Sequence, residues 1–427
     1  MRNLFSITLA QIWNFIKTPE FVIMYMAVMV VLMGLIVIAA IINERRLNSV
    51  NKQLKSSANK ASEQAEVSSS RFEMLKSIDE RWNKAPKEQF VDNFTLSELC
   101  EEFRNYAAGK LGLYYDRDTI RAFVSGLAVS HFIILQGMSG TGKTSLAFAF
   151  GEFLNNPSTV IPVQPMWKER SDLLGYYNEF TKRFNETPLL SKMYEANKSQ
   201  AMFVTILDEL NIARVEYYFA EFLSLMEIPN PELRYLDIIT DKWSSDPKDL
   251  KNGSIKLPEN MWFLGTANND DSTFAISDKV YDRTMIIQLD HKAEPFEAAK
   301  FGTMPISAQA FNDKVAEVLK INSISKASSD RLNKLDEYLQ KHFRISFGNR
   351  VMKQIKSYLP VYVACGGNEE KALDDILTKK VLRKLEMQNI AYRKKDADEL
   401  IQFIEDCFGK GTMTHCVNYI RALARNS

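Results

Sequence analysis

The stretch HFIILQGMSGTGKTSLAFAFGEFL, His131–Leu154, decides the architecture. His131–Gln136 is short and mostly apolar and reads as a strand. It runs directly into Gly137-Met-Ser-Gly-Thr-Gly142-Lys143-Thr144, which matches GxxxxGK[ST]. The residues that follow, SLAFAFGEFL, read as a helix. Strand, glycine loop and helix in that order are the context the motif requires. Glycines let backbone N–H groups close around a phosphate, and the helix N-terminus adds a favourable dipole. The lysine reaches the outer phosphates and the Thr144 hydroxyl binds Mg²⁺. The candidate nucleotide-binding residues are Gly137, Ser139, Gly140, Thr141, Gly142, Lys143, Thr144 and Ser145, with Thr144 also a metal ligand.

Working outward, AMFVTILDEL puts Asp208 and Glu209 at the end of a second apolar strand, Met202–Leu207. Asp208 is the candidate second metal ligand. Glu209 is the candidate group that orients or deprotonates an attacking water. Both elements would lie at the carboxyl ends of strands in one parallel sheet, where ligands bind in such folds. A third strand, MWFLGT, leads to Asn268, placed to stand beside the γ-phosphate; a turn-forming role is its plainer reading. A fourth, MIIQL, follows Arg283. An arginine before a strand at a subunit edge can serve a neighbour's phosphate, whereas an ordinary pairing with Asp278 or Asp282 is the alternative.

Bulk composition is that of a globular protein: 427 residues, 46% hydrophobic, 25% charged, net charge +1. The charge balance gives no electrostatic argument for nucleic acid. Cys100, Cys365, Cys407 and Cys416 make no CxxC pair, and the Cys407/His415/Cys416 spacing fits no common zinc pattern, so reduced structural thiols are expected. His131, His291, His342 and His415 form no HExxH or paired motif, which leaves no protease or nuclease constellation in view.

The N-terminal region is different. FVIMYMAVMVVLMGLIVIAAII, Phe21–Ile42, carries no charge. As a helix it would reach about 33 Å, enough to cross a hydrocarbon core of about 30 Å. It is too long for a signal-peptide core and ends in INERR rather than a cleavage site. A buried core helix would rarely be apolar on every face over this length. Arg45, Arg46, Lys52, Lys55 and Lys60 follow it, against Arg2 and Lys17 before it. By the positive-inside rule the C-terminal side faces the cytoplasm. Residues 1–20, with Trp13 as an anchor, could lie at the membrane interface. Residues 43–94 read as a polar helical stalk or linker with a weak heptad, ended near Ala85-Pro86.

Together these pieces resemble the AAA+ superfamily, and more narrowly the McrB-type branch that contains the 5-methylcytosine restriction NTPase. The resemblance spans about Thr95 to Asn389. It is carried further by VIPVQPMWKERSDLLGYYN (Val160–Asn178), LDELNIARVEYYFAEFLSLME (Leu207–Glu227), GTANNDDSTFAISDKVYDR (Gly265–Arg283) and RISFGNRVMKQI (Arg344–Ile355). It implies an α/β P-loop domain over 95–300, a parallel sheet flanked by helices, and a helical lid with C-terminal extension over 301–427. It implies that Asn268 is sensor 1, Arg283 an arginine finger and Arg350 the sensor 2 arginine of the lid, and that Leu373–Glu386 is a lid helix. An exposed helix cation is the plainer reading of Arg350. The Trp167 loop and the Arg214 helix would face a pore or a neighbour, although periodicity reads Tyr217, Tyr218 and Phe219 as a packed helix face. Asn268-Asn269-Asp270-Asp271-Ser272 lacks the arginine of the restriction GTPase signature, which puts ATP ahead of GTP.

The expectation is a single-pass protein of a bacterial inner or plasma membrane, in contact with lipid, with its motor in the cytoplasm. It would be a homo-oligomeric, hexameric ring in the manner of its relatives, using ATP and Mg²⁺ to drive a separately encoded partner. A nuclease in defence against foreign DNA is one such partner; direct DNA binding stays open. A MoxR-like remodelling chaperone at the membrane and a GTP-using restriction motor are the alternatives.

Overall fold

The computed structural model describes residues 70–268, 273–290, 292–299, 301–388 and 394–425, together with scattered positions between Thr18 and Gly34. The chain divides into Met1–Ser69 and Ser70–Ser427. In the first unit the described residues from Pro19 to Gly34 are helical. Ile23, Met24, Met26, Val30, Val31 and Met33 are all exposed there. Among the described residues no helix is long and apolar enough to cross a membrane. Much of the expected span, Phe21–Ile42, lies outside the described residues, as do nearly all of 1–20 and the part of the stalk up to Ser69.

The second unit is built on five parallel strands: β1 (Phe132–Gln136), β2 (Thr159–Pro162), β5 (Phe203–Asp208), β8 (Met261–Ala267) and β9 (Met285–Gln288). Their order across the sheet is β2-β5-β8-β1-β9. Two antiparallel hairpins stand apart from it: β3 (Gly175–Asn178) with β4 (Arg183–Glu186), and β6 (Tyr235–Asp237) with β7 (Ser254–Lys256).

The period of two along each strand assigns the faces. Ile133, Leu135, Val204, Ile206, Trp262, Leu264, Met285 and Ile287 point to one layer, packed on the helices Leu96–Leu111, Arg117–Val129 and Lys143–Phe153. Phe132, Ile134, Phe203, Leu207, Met261, Phe263 and Ile286 point to the other, against Pro188–Ala196 and the Tyr218/Phe219/Phe222 cluster. Both faces are covered, so these strands read as near-continuous apolar runs.

The C-terminal part is helical: Ala308–Ile321, Lys326–Phe343, Gly348–Ala364, Glu369–Lys380, Lys394–Phe408 and Thr414–Arg425. Phe311, Ile355, Tyr358 and Leu373 share one core with Phe123 and Val124 of the helix before β1. The expected lid helix Leu373–Glu386 is split. Its α-helical part ends at Lys380, and a 3₁₀ segment, Leu382–Gln388, follows.

The end of the presumed stalk is not a free linker. From Ser70 the chain docks onto the two hairpins. Arg71 is fully buried, paired with Asp246 at 2.9 Å and lying over the Trp243 ring at 4.4 Å. Phe72 stacks on Phe184 at 4.9 Å. The helix Glu73–Trp82 has its first turn capped by Glu186, whose carboxylate accepts from the N–H groups of Met74 and Leu75 at 2.8 Å each. A carboxylate there satisfies orphan donors and suits the helix dipole.

Candidate active site

The glycine loop sits between β1 and the helix Lys143–Phe153, as the motif requires. Two of its glycines are obligatory for steric reasons. A Cβ on Gly137 would stand 2.2 Å from the Leu289 carbonyl oxygen at the end of β9. Gly142 has φ +90°, a left-handed conformation, with the Tyr115 hydroxyl 3.2 Å from where its Cβ would be. That hydroxyl donates to the Gly142 carbonyl at 3.1 Å, tying the loop to the segment before the helix Arg117–Val129. Burial pushes the Tyr115 phenol well up from its usual range, so it remains a donor.

Ser139 and Gly140 are exposed; Thr141, Gly142, Thr144 and Ser145 are half-buried. Lys143 is buried and its Nζ donates to the Gly137 and Met138 carbonyls at 3.0 and 2.8 Å. Thr141 Oγ1 donates to the Met138 carbonyl at 2.9 Å.

Thr144 Oγ1 donates to Asp208 Oδ1 at 2.8 Å. The two oxygens that the sequence nominates for a cation are thus already side by side. A second hydroxyl joins them, one that motif reading missed. Thr266 Oγ1 donates to the same Asp208 oxygen at 2.8 Å and accepts from the Glu209 N–H, also at 2.8 Å. Thr266 is the lone hydroxyl in an apolar strand. The register that pairs Leu207 with Gly265 sets it beside Asp208. Glu209 has φ +54°, an unusual conformation for a residue with a side chain, of the kind that gathers at functional sites. Asn268 follows β8; its backbone oxygen accepts from Asn211 Nδ2 at 3.0 Å. Its side-chain Oδ1 is buried and meets no hydrogen-bond partner among the described residues.

This donor set fits a nucleotide phosphate with a divalent cation. The loop's backbone is held in glycine-only conformations. A hydroxyl and a carboxylate, hard oxygen ligands, converge as Mg²⁺ requires. Glu209 follows Asp208 in the chain, and Asn268 follows the end of the neighbouring strand β8. Asp208 ends β5, and the loop, Glu209 and Asn268 follow the carboxyl ends of parallel strands. Asn269–Ser272 lies outside the described residues. A cavity of about 840 Å³ lies between the helix Arg117–Val129, the end of β9 and the C-terminal helices, lined by Asp116, Gln288, Asp290, Lys371 and Lys379 among others.

Arg283 and Arg350 are elsewhere. Arg283 precedes β9, and its carbonyl accepts from Ser130 Oγ at 3.3 Å, before β1 begins. That is the amino end of the sheet, a strand length or roughly 17 Å from the loop. Arg350 is with it: Glu227 pairs with Arg283 at 3.4 Å and with Arg350 at 2.5 Å. The three, with His131, Arg234 and Lys353, line a second cavity of about 670 Å³. The structure therefore does not bring Arg350 to the phosphate loop of its own chain. Tyr218 and Phe219 are fully buried, the packed face that periodicity favours, while Tyr217 is exposed. Trp167 is half-buried and lies edge-on to Tyr218 at 5.6 Å.

All four cysteines are free thiols. No group of three or more His, Cys, Asp or Glu side chains able to hold a metal occurs among the described residues.

Residues 132–284 match the AAA domain, dynein-related subfamily. Residues 303–427, the helical part, match a domain of unknown function, DUF8727. Over 175 residues the chain is 26% identical to the Type IV methyl-directed restriction enzyme EcoKMcrB subunit of Escherichia coli K12. That match covers 39% of this chain and 36% of the relative, so about a third of the relative's length is represented. Among solved structures, a candidate ATPase from Cytophaga hutchinsonii is similar at 14% identity and a TM-score of 0.48, covering 72% of this chain and 96% of that one. A full-length MCM homologue from Methanopyrus kandleri is similar at 9% identity and a TM-score of 0.38, covering 66% and 59%. The family match and the site geometry agree: the chain carries an AAA+ ATPase domain with low-identity similarity to McrB.

Proposed function

We propose that this AAA+ domain hydrolyses ATP at the boundary between neighbouring copies of the chain, assembled as a ring, and that turnover drives a partner protein. The observation that carries the reading is the division of the machinery between the two ends of one sheet. Thr144, Asp208 and Glu209 converge at the carboxyl ends of the strands, while Arg283 stands at the amino end, beyond reach of them.

Bound ATP would supply the bond to be broken, and Mg²⁺ would supply charge neutralisation at the outer phosphates. Lys143 and the loop N–H groups hold the phosphates. Thr144 and Asp208 hold the cation, with Thr266 fixing the Asp208 carboxylate. Glu209 orients the attacking water and takes its proton, and the Asn268 amide orients that water from the other side. The neighbour's Arg283 and Arg350 offer guanidinium donors to the charge that develops at the γ-phosphate. The missing arginine in Asn268–Ser272 favours ATP over GTP. Measuring ATP and GTP turnover of Glu209→Gln and Arg283→Ala tests the reading: each variant should lose turnover. Full activity in both would sink it.

The N-terminal region supports a membrane attachment, through the apolar run Phe21–Ile42 and the exposed apolar side chains of its described residues. Fractionation of the full chain against a truncation starting at Asn43 tests this; equal solubility of the two would contradict it. The relative is by name a methyl-directed restriction enzyme subunit. A nuclease is therefore the first partner class to seek among proteins that co-purify.

A further inference from the structure

Lys380 ends the lid helix Glu369–Lys380 and is buried, at 3% exposure. Its Nζ donates to the carbonyl oxygen of Tyr281 at 2.6 Å and to that of Thr284. These carbonyls bracket Asp282 and Arg283. Other lid side chains grip the same turn. Gln354 Nε2 donates to the Asp282 carbonyl at 3.2 Å. Lys384 pairs with the Asp282 carboxylate at 3.4 Å, and Arg383 pairs with Asp278 while its guanidinium covers the Tyr281 ring at 3.7 Å.

A buried ammonium is expensive and is kept where it is hydrogen-bonded or paired. Here burial pulls the Lys380 ammonium down to about 7, with Asp282 opposing that shift and Arg383, Lys384 and Arg350 adding to it. A leucine or methionine at this point of the helix would avoid that cost. The donors serve a short segment outside the sheet strands, the turn between the helix Asp278–Tyr281 and β9, which Ser130 Oγ also holds through the Arg283 carbonyl. What this segment carries is Arg283. Lid and turn are thus joined by side chains rather than by the sheet.

We propose that Lys380 is a positioning residue for Arg283: it bolts the lid to the turn before β9, so that the lid's position sets where the Arg283 guanidinium stands against a neighbouring copy's nucleotide. The proposal rests on the reading that Arg283 acts across the subunit boundary. It gives the helical C-terminal part a specific task. Lid movement at one site is passed through Lys380 to the arginine that serves the next site.

The test is complementation between full-length variants. Lys380→Met keeps an unbranched side chain, one atom shorter, and removes its donors. Alone it should lower kcat for ATP about tenfold and leave KM within about twofold, the pattern of an interaction made only in the transition state. It is then mixed with Lys143→Ala, which lacks a working loop but retains its own turn and Arg283. Arg283→Ala mixed with Lys143→Ala is the reference. If Lys380 acts through Arg283, both mixtures regain activity to the same extent, because the variant's intact loop is served by its neighbour's arginine. Recovery with Arg283→Ala but not with Lys380→Met overturns the positioning role, as does wild-type turnover by Lys380→Met alone. Recovery in neither mixture overturns the cross-boundary reading itself. Should Lys380→Met not fold, Gln354→Leu, which removes the donor to the Asp282 carbonyl, enters the same mixture; unchanged turnover in that variant likewise overturns the clamp.

Discussion

Arg283 and Arg350 meet on the two oxygens of one carboxylate, Glu227, at 3.4 and 2.5 Å. One arginine comes from the end of the α/β domain and the other from the C-terminal helix Gly348–Ala364. Their meeting point is the amino end of the sheet, away from the loop that Lys143 closes. An Arg350 reading its own nucleotide would require the lid to be elsewhere.

Arg350→Ala therefore separates two roles. The pair is part-exposed, so loss of the ion pair itself costs little stability. The affinity of the isolated subunit for ATP should stay within about twofold, by equilibrium titration, while steady-state turnover of the assembled protein falls about tenfold. A large loss of affinity in the isolated subunit would return Arg350 to its own site.

Thr266→Val keeps the shape and removes the hydroxyl that holds Asp208 and receives the Glu209 N–H. Leaving those groups without their partner costs about 1–3 kcal/mol where they are buried. Turnover should fall by one to two orders of magnitude, with the Mg²⁺ concentration for half-maximal rate raised, because the carboxylate is no longer fixed. A Mg²⁺ titration of the variant's rate reads both effects.

Arg71→Met removes a buried guanidinium and leaves Asp246, itself 5% exposed, without its partner. Breaking a buried pair from one side costs about 3–5 kcal/mol. Thermal unfolding should move down by several degrees. Limited proteolysis should open the 241–246 loop between β6 and β7 before the rest of the domain.

Lys380 gives a pH signature. Its ammonium, at 10.5 when free, is drawn to about 7 by burial. Between those values the unfolded chain holds a proton that the folded one has released, so the stability this group contributes rises with pH, by up to about 1.4 kcal/mol per unit. Below pH 7 the full cost of burying the charge remains. Lys380→Met has no such group. Its stability relative to wild type should be greatest near pH 6 and decline toward pH 9, as denaturant unfolding at each pH would show.

The sequence made the phosphate loop, the Asp208–Glu209 strand end and the parallel sheet readable because each is a run of several apolar residues ending in a chemically specific group. The two hairpins escaped. Their strands are three or four residues long, too short to show a period, and Gly175 reads as an ordinary loop glycine until its close approach to the Asn185 carbonyl is seen. The docked segment after Ser70 escaped for the opposite reason: among so many charges Arg71 looks solvated, and only its fold partners, over a hundred positions away, bury it. Glu227 and Lys380 belong to the same class. A charged residue on a helix defaults to solvent in any reading of a sequence, and both meet their partners only through the return of the chain to the amino end of the sheet.

The central claim is that an active site is completed by two copies of the chain. Specific ATPase activity measured against protein concentration tests it most directly. Turnover per subunit should rise with concentration as copies assemble, collapse on dilution, and be near zero throughout for Arg283→Ala. Turnover per subunit that is constant on dilution and unchanged by Arg283→Ala would contradict it.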